Sequence, residues 1–134
     1  MNLSEWLKNY LKSRDVFKNE ILGFEKGEWS DIIVKKISQD LFVLISEDLN
    51  EALKNKIKDE NLIVACLNTK KNVDFLINNW NFFAKFKRLS MFFVNPNSKT
   101  ETKWILYPYT HNFIADEKTL STGLKSMAEG VEEV

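Results

Sequence analysis

Asp31, Glu47 and Asp48 are the side chains of this sequence best suited to holding a divalent cation. Asp31 opens a β-branched run, Ile32-Ile33-Val34, and Glu47-Asp48 follows the apolar run Leu41–Ile45. A tight turn at residues 38–40 joins the two runs as an antiparallel hairpin, which brings Asp31 toward the other two carboxylates. Oxygen ligands of this kind suit magnesium. The competing reading is structural: Asp48 caps the next helix and Asp31 is an ordinary turn or edge residue.

Other single residues offer less. His111 is the only histidine, and no nucleophile lies near it in residues 109–112, so it reads as a side chain that steadies a loop. Cys66 lies inside the wholly apolar run Leu62–Leu67 and reads as a buried small hydrophobe. One cysteine excludes an internal disulfide, and one cysteine with one histidine makes no zinc site. There is no glycine-rich phosphate loop and no Gly-x-Ser-x-Gly elbow, so P-loop and serine-hydrolase chemistry have no support.

A different chemistry is offered by residues 70–88. Lys70, Lys71, Lys85, Lys87 and Arg88 make this stretch basic within a neutral chain of nineteen basic and nineteen acidic residues. Interleaved with aromatic rings, such a patch can hold a phosphate backbone and stack bases, which makes Lys70, Lys71, Lys85 and Arg88 the candidate nucleic-acid contacts. Lys70 and Lys71 also sit near a helix start, against the dipole. The alternative is a solvated helix face. At 100° per residue, Val73, Leu76, Ile77, Trp80, Phe83 and Ala84 share one side of a helix over residues 72–88. Phe75, Phe82 and Phe86 form a second stripe, covered either by another helix of the chain or by a second subunit.

These candidates need a scaffold, and the hydrophobic pattern supplies one. Leu3, Trp6, Leu7, Tyr10, Leu11 and Phe17 predict a first helix over residues 3–19. A short strand over 21–25 and the hairpin of 31–37 with Leu41–Ile45 follow. Asp48 and Glu51 resemble a capping box that opens a helix over 48–59, with Leu49, Ala52, Leu53 and Ile57 buried. Leu62–Leu67, apolar throughout, reads as a strand covered on both faces. After the aromatic helix come the strand Leu89–Val94, a turn at 95–98 and a strand over 103–107 stopped by Pro108. A last helix is capped by Asp116 or Thr119, with Leu120, Leu124, Met127, Ala128 and Val131 as its stripe.

The order predicts a single α/β domain over residues 1–134, a three-layer mixed sheet flanked by helices. At 44% hydrophobic and 28% charged, the composition is that of an ordinary globular protein. No segment is apolar and long enough to span a bilayer and no signal peptide opens the chain, so no membrane partner and a cytoplasmic address are expected.

The first helix, the hairpin opened by Ser30-Asp31, the apolar strand and the long helix resemble the restriction-endonuclease-like, PD-(D/E)XK, superfamily. That family keeps an acidic residue at the start of one strand and an acidic residue, any residue, then lysine on the next core strand. The carboxylates bind magnesium, and the lysine assists attack of water on the phosphodiester. Here Ser30-Asp31 matches the first element with serine for proline. The second falls either on Cys66-Leu67-Asn68, with neither carboxylate nor lysine, or on Glu47-Asp48-Leu49, with the carboxylate alone. The first placement is preferred because the long helix should follow that strand directly, and Lys70 stands as a migrated lysine. The resemblance implies a catalytically defective nuclease-like domain that acts by binding nucleic acid or protein. The alternatives are a magnesium-dependent nuclease using Asp31, Glu47 and Lys70, and a structural homodimer joined through Phe75, Phe82 and Phe86.

Overall fold

The apolar runs become strands, and the strands form one sheet. The computed structural model describes residues Met1 to Val134, and six strands pair in sequence order across it. They are β1 (Ile21–Lys26), β2 (Ile32–Lys36), β3 (Leu41–Ile45), β4 (Leu62–Leu67), β5 (Leu89–Val94) and β6 (Lys103–Leu106). The pairs β1–β2, β2–β3 and β5–β6 are antiparallel, whereas β3–β4 and β4–β5 are parallel. Ile32 opposes Val43 and Val34 opposes Leu41, so the expected hairpin forms.

Parallel neighbours need crossovers. Helix α2 (Glu51–Lys54) connects β3 to β4, and α3 (Lys70–Asn78) with α4 (Trp80–Phe83) connects β4 to β5. Both steps move the same way across the sheet, so right-handed crossovers put all three helices on one face. Their core there includes Leu53, Leu76 and Phe83 against Leu44, Val64 and Phe93. Helix α5 (Pro108–Ile114) lies against β5 and α4, and α6 (Leu120–Glu129) adds Leu124 to the same core. Helix α1 (Leu3–Arg14), which is in no crossover, covers the opposite face with Leu3, Trp6 and Leu7 on Val34, Val43 and Ala65. Trp6 stacks on Tyr10 at 5.3 Å, and both meet Phe92 edge-on. The molecule is thus a mixed α/β structure with helices on both faces of the sheet. No helix is long and apolar enough to cross a membrane.

Where helices were expected to be long, polar side chains end them early. α1 stops at Arg14 because the Asp15 carboxylate accepts the Glu20 and Ile21 amides, both at 2.9 Å, and turns the chain into β1. Phe17, expected on the buried stripe, is 99% exposed. The helix expected over 48–59 is one turn, capped by Asn50 rather than Asp48; the Asn50 side chain accepts the Leu53 amide at 2.9 Å. Leu49, Leu53 and Ile57 are buried as expected, but Ala52 is exposed.

The aromatic helix breaks at Asn79. Its side chain donates to the Phe75 carbonyl at 2.9 Å and accepts from Lys54 Nζ at 2.8 Å. This side-chain bonding competes with the helical ladder and separates α3 from α4. Residues 109–112, expected as a loop, are helical instead. Pro108 starts α5, where its missing N–H would have had no helical partner anyway.

Candidate functional site

Asp31 sits where the β2–β3 hairpin meets the end of the parallel strands, and a tight turn puts it there. Within that turn a Cβ at Gly27 would collide with the Ser30 carbonyl, so the chain needs glycine. The Asp31 N–H donates to the Val43 carbonyl at 2.8 Å, and its Oδ2 accepts the Ile45 N–H at 2.6 Å. The carboxylate therefore fastens β2 to the end of β3. It borders a cleft of about 480 Å³ between α1 and β1, shared with Lys8, Glu25, Lys26 and Ile45.

Glu47 does not line this cleft. Its carbonyl accepts the Leu67 amide at 3.2 Å and Asn72 Nδ2 at 2.7 Å, which turns the end of β3 toward β4. Lys70 borders a different cavity, about 530 Å³, between α3 and α6. Asp31, Glu47 and Lys70 are thus not gathered around one cavity. No group of three or more His, Cys, Asp or Glu side chains is arranged to hold a metal ion. The cleft does not suit magnesium either. Its Asp31 carboxylate is engaged by an amide, Lys8 and Lys26 share the same walls, and the neighbouring β3 side chain is the apolar Ile45.

The preferred position for the second acidic element, Cys66-Leu67-Asn68, does not lie beside Asp31. Cys66 faces the core under α2, α3 and α6, on the side of the sheet away from Ile32 and Ile45. Burial pushes its thiol pKa well above the ordinary range, and the negative charge of Asp48 raises it further. Two results are expected. In the folded protein the thiol resists a disulfide reagent at mildly alkaline pH and reacts fully in denaturant. The contribution of Cys66 to stability is constant below about pH 8.5, where an unfolded thiol ionises, and falls above it because only the unfolded state then releases the proton. A urea-midpoint series across that range, read as the difference between wild type and Cys66→Ala, checks the second.

Asn68 and Asn72 are positioning residues that sequence reasoning missed as such. Asn68 is 3% exposed; its Oδ1 accepts Trp104 Nε1–H at 2.8 Å. Its Nδ2 donates to the carbonyls of Ala128 and Val131 at 3.1 Å and of Glu132 at 3.4 Å. Asn95 donates to the Glu132 carbonyl as well, and the Val134 amide returns a bond to the Asn68 carbonyl. Residues 131–134 are thereby strapped across the carboxyl ends of β4 and β5. Asn72, fully buried, accepts the Leu49 amide at 2.8 Å and donates to the carbonyls of Glu47 and Leu67. This sheet edge is where α/β proteins often bind ligands. Here satisfied amides fasten residues 131–134 to it, beside the cavity between α3 and α6 that Asn68 also lines, and no buried side-chain nitrogen or oxygen lacks a partner. The only local signal was a polar residue straight after a fully apolar strand; the partner Trp104 lies far along the chain.

His111 packs edge-on against Trp80 at 5.7 Å, while Trp80 Nε1–H donates to Asn112 Oδ1 at 2.8 Å. Both contacts fasten α5 to α4.

The four expected nucleic-acid lysine and arginine positions separate into two pairs. Lys70 and Lys71 lie in the first turn of α3, past the carboxyl end of β4. Lys85 and Arg88 follow α4, before the amino end of β5, so the parallel strands hold the pairs at opposite ends of the sheet. Arg88 is tied to the Asp59 carbonyl at 2.8 Å. The expected interface stripe is largely internal: Phe75, Phe82 and Phe86 are half-buried and packed against the core. Phe83 meets Phe75 at 6.3 Å and Phe82 at 5.3 Å, and Phe82 meets Phe86 at 5.2 Å.

What the tertiary structure assembles instead is a row of lysines on half-buried rings. Lys58 Nζ lies 4.9 Å from the Trp29 ring. Lys54 and Lys85 flank Phe82 at 4.7 and 5.2 Å, and Lys87 lies 5.9 Å from Tyr109. Lys58, Lys85 and Lys87 have no carboxylate partner within ion-pair distance. Lysine ammoniums on ring faces gain about 0.5–1 kcal/mol each at exposed sites. The row keeps Lys58, Lys85 and Lys87 in place without neutralising them, while Lys54 is paired with Glu51 at 3.5 Å.

Sheet order and helix placement define a mixed α/β protein that carries three unpaired lysines, Lys58, Lys85 and Lys87, against aromatic rings on the α2–α4–α5 side. A comparison with models of protein families, with curated proteins and with solved structures finds no match to this chain.

Proposed function

We infer that this chain is a catalytically silent domain of the restriction-endonuclease-like kind that binds nucleic acid through the side carrying α2, α4 and α5. The observation that carries the reading is the lysine–aromatic row: Lys58 on Trp29, Lys54 and Lys85 on Phe82, Lys87 on Tyr109. Lys54 is paired with Glu51 at 3.5 Å, whereas Lys58, Lys85 and Lys87 have no carboxylate partner; such unneutralised ammoniums attract a phosphate backbone, and each contact releases condensed counterions. The rings beneath them offer apolar surface for bases once a lysine swings aside to a phosphate.

The nuclease-like part of the reading is supported by element order. α1, the β1–β2–β3 meander, the crossover to the parallel β4 and an acidic residue opening β2 agree with that superfamily. Its silence is supported by Asp31 itself: the carboxylate is bonded to the Ile45 amide, and the cleft it borders is lined by neither Glu47 nor Lys70.

Labelled single-stranded and duplex DNA and RNA, titrated with the protein over a salt series, test the reading. Binding is expected at low salt and weakens steeply as salt rises. The double change Lys85→Glu and Lys87→Glu is expected to reduce affinity roughly tenfold or more, since it removes two backbone contacts and adds two repulsive charges. Lys70→Glu with Lys71→Glu leaves affinity within about twofold, because those residues lie at the other end of the sheet. Equal affinity in the Lys85/Lys87 variant would sink the proposed surface. Strand cleavage in magnesium or manganese that Asp31→Ala abolishes would sink the claim of silence.

A further inference from the structure

The lysine–aromatic row runs on, past its last lysine, into an exposed aromatic face of α5, and strand register shows why. Phe42 opposes Leu62, Leu62 opposes Leu89, and Met91 opposes Leu106. The amino ends of β3, β4 and β5 therefore share one end of the sheet with the carboxyl end of β6, where α5 begins. Trp29 packs on Phe42 of β3, Lys58 precedes β4, Lys85 and Lys87 precede β5, and Tyr109 follows β6. From β3 to β6 is three strand intervals, about 15 Å at the usual sheet spacing.

Helix α5 divides into two faces. Pro108 is buried, and His111 and Asn112 meet Trp80, which holds the inner face on α4. One turn beyond Tyr109 stands Phe113, 73% exposed, with its ring centroid 5.0 Å from that of Tyr109. Ile114 is 79% exposed, and Tyr107, just before the helix, 58%. Lys87 lies 5.9 Å from the same Tyr109 ring. An ammonium without a carboxylate partner and an open phenyl ring thus stand one tyrosine apart.

Charge and ring chemistry together select the occupant. A purely apolar partner would bury Lys58, Lys85 and Lys87 without neutralising them, and a partner that is only anionic would leave Phe113 in water. A nucleic-acid strand supplies both a phosphate for the ammonium and a flat base for the ring. Inside a duplex each base is already stacked on both faces, so only an unpaired strand can lay a base on Phe113.

We propose that the row and the outer face of α5 form a track for single-stranded nucleic acid, with Phe113 as a base-stacking platform and Lys87 as the phosphate contact beside it. Resting on the nucleic-acid reading above, this track narrows the substrate to unpaired strands.

Three labelled probes of equal length test the track: an oligothymidylate, its duplex with the complementary strand, and an abasic strand that keeps the phosphates alone. The oligothymidylate is expected to bind at least about tenfold more tightly than the duplex at equal salt. Phe113→Ala, at an exposed position, is expected to keep the wild-type circular dichroism spectrum and urea midpoint. It should lose roughly fivefold or more in affinity for the oligothymidylate, the loss of one base–ring stack. Its salt slope should stay that of wild type, because stacking releases no counterions, whereas Lys85→Glu with Lys87→Glu flattens the slope. Affinity of Phe113→Ala for the abasic strand and for the duplex should remain within about twofold of wild type, and Phe113→Trp should bind the oligothymidylate normally, since any aromatic face serves. Duplex binding as tight as single-strand binding overturns the track, as does a Phe113→Ala variant that binds oligothymidylate like wild type; both leave the Lys85 and Lys87 dependence standing. Failure to bind any probe overturns the nucleic-acid reading and the track together. Light scattering checks for a different occupant: a wild-type dimer that Phe113→Ala makes monomeric would assign this face to a second copy and overturn the track as well.

Discussion

Replacing Asn68 by leucine is expected to lower the unfolding free energy by roughly 3–5 kcal/mol, since a buried donor or acceptor left unsatisfied costs about 1–3 kcal/mol. The substitution keeps the approximate volume and removes every polar atom of the side chain. Trp104 Nε1–H, buried beside Phe93 with ring centroids 4.3 Å apart, then loses its acceptor. The carbonyls of Ala128, Val131 and Glu132 lose their shared donor. Those three can reach water if residues 131–134 peel away, whereas the indole cannot move without breaking its stack on Phe93. Two readouts should therefore change together. The urea midpoint falls, and amide exchange in residues 128–134 accelerates beyond what the global loss accounts for. Wild-type protection in that segment would show that Asn68 is not what fastens the strap.

Truncating Phe83 to alanine is expected to cost about 3–5 kcal/mol, the range for removing a buried aromatic ring. Phe83 is fully buried at the junction of α4 with the sheet, and Phe75 and Phe82 pack their rings against it. The cavity cannot close easily, because β4 and β5 beneath it are buried and close-packed. Phe82 carries Lys54 and Lys85, so the same change also loosens the middle of the lysine row. Chemical denaturation measures the first effect and the salt-dependent nucleic-acid titration the second. Phe75→Ala, at a half-buried position away from the lysines, should lower stability less and leave affinity unaltered. Should the two variants prove equally destabilised, Phe83 would not be the anchor of this helix pair.

Both predictions rest on contacts that the sequence alone could not supply, though the elements carrying them were readable. β4 and β5 could be bounded to the residue because an uninterrupted apolar run between turn signals has one stable place in a small α/β protein. The β2–β3 hairpin followed from a short polar turn between β-branched runs. Helix ends were harder. The apolar spacing of residues 72–88 fits one continuous helix, and nothing local reveals that Asn79 will bond to Phe75 and Lys54 instead. Pro108 carried a readable signal of the opposite kind: it stops a strand and equally opens a helix, and α5 uses the second property.

The candidate site divides along the same line. Asp31 could be found because it opens a strand, and Cys66 could be placed in the core because its neighbours are apolar. Whether Asp31 had a second carboxylate beside it depended on which strand became its neighbour, and β3 brought Ile45. The lysines of residues 70–88 were visible as a group, yet six residues of parallel strand hold them at two ends of the sheet. The row that does form draws Trp29, Lys58, Phe82, Lys87 and Tyr109 from four distant stretches.

By itself, then, the sequence determined the mixed α/β class, the strands of the sheet centre and a composition with a single cysteine and a single histidine. Those follow from periodicity and composition, which act over a few neighbouring residues. Only the tertiary structure decided that Asp31 is a strand clasp, that Asn68 and Asn72 fasten the segments at the sheet's carboxyl edge, and that cations and rings meet on the α2–α4–α5 side. Each of these is a pairing between residues far apart in the chain, and strand order and side-chain packing, rather than local pattern, choose such partners.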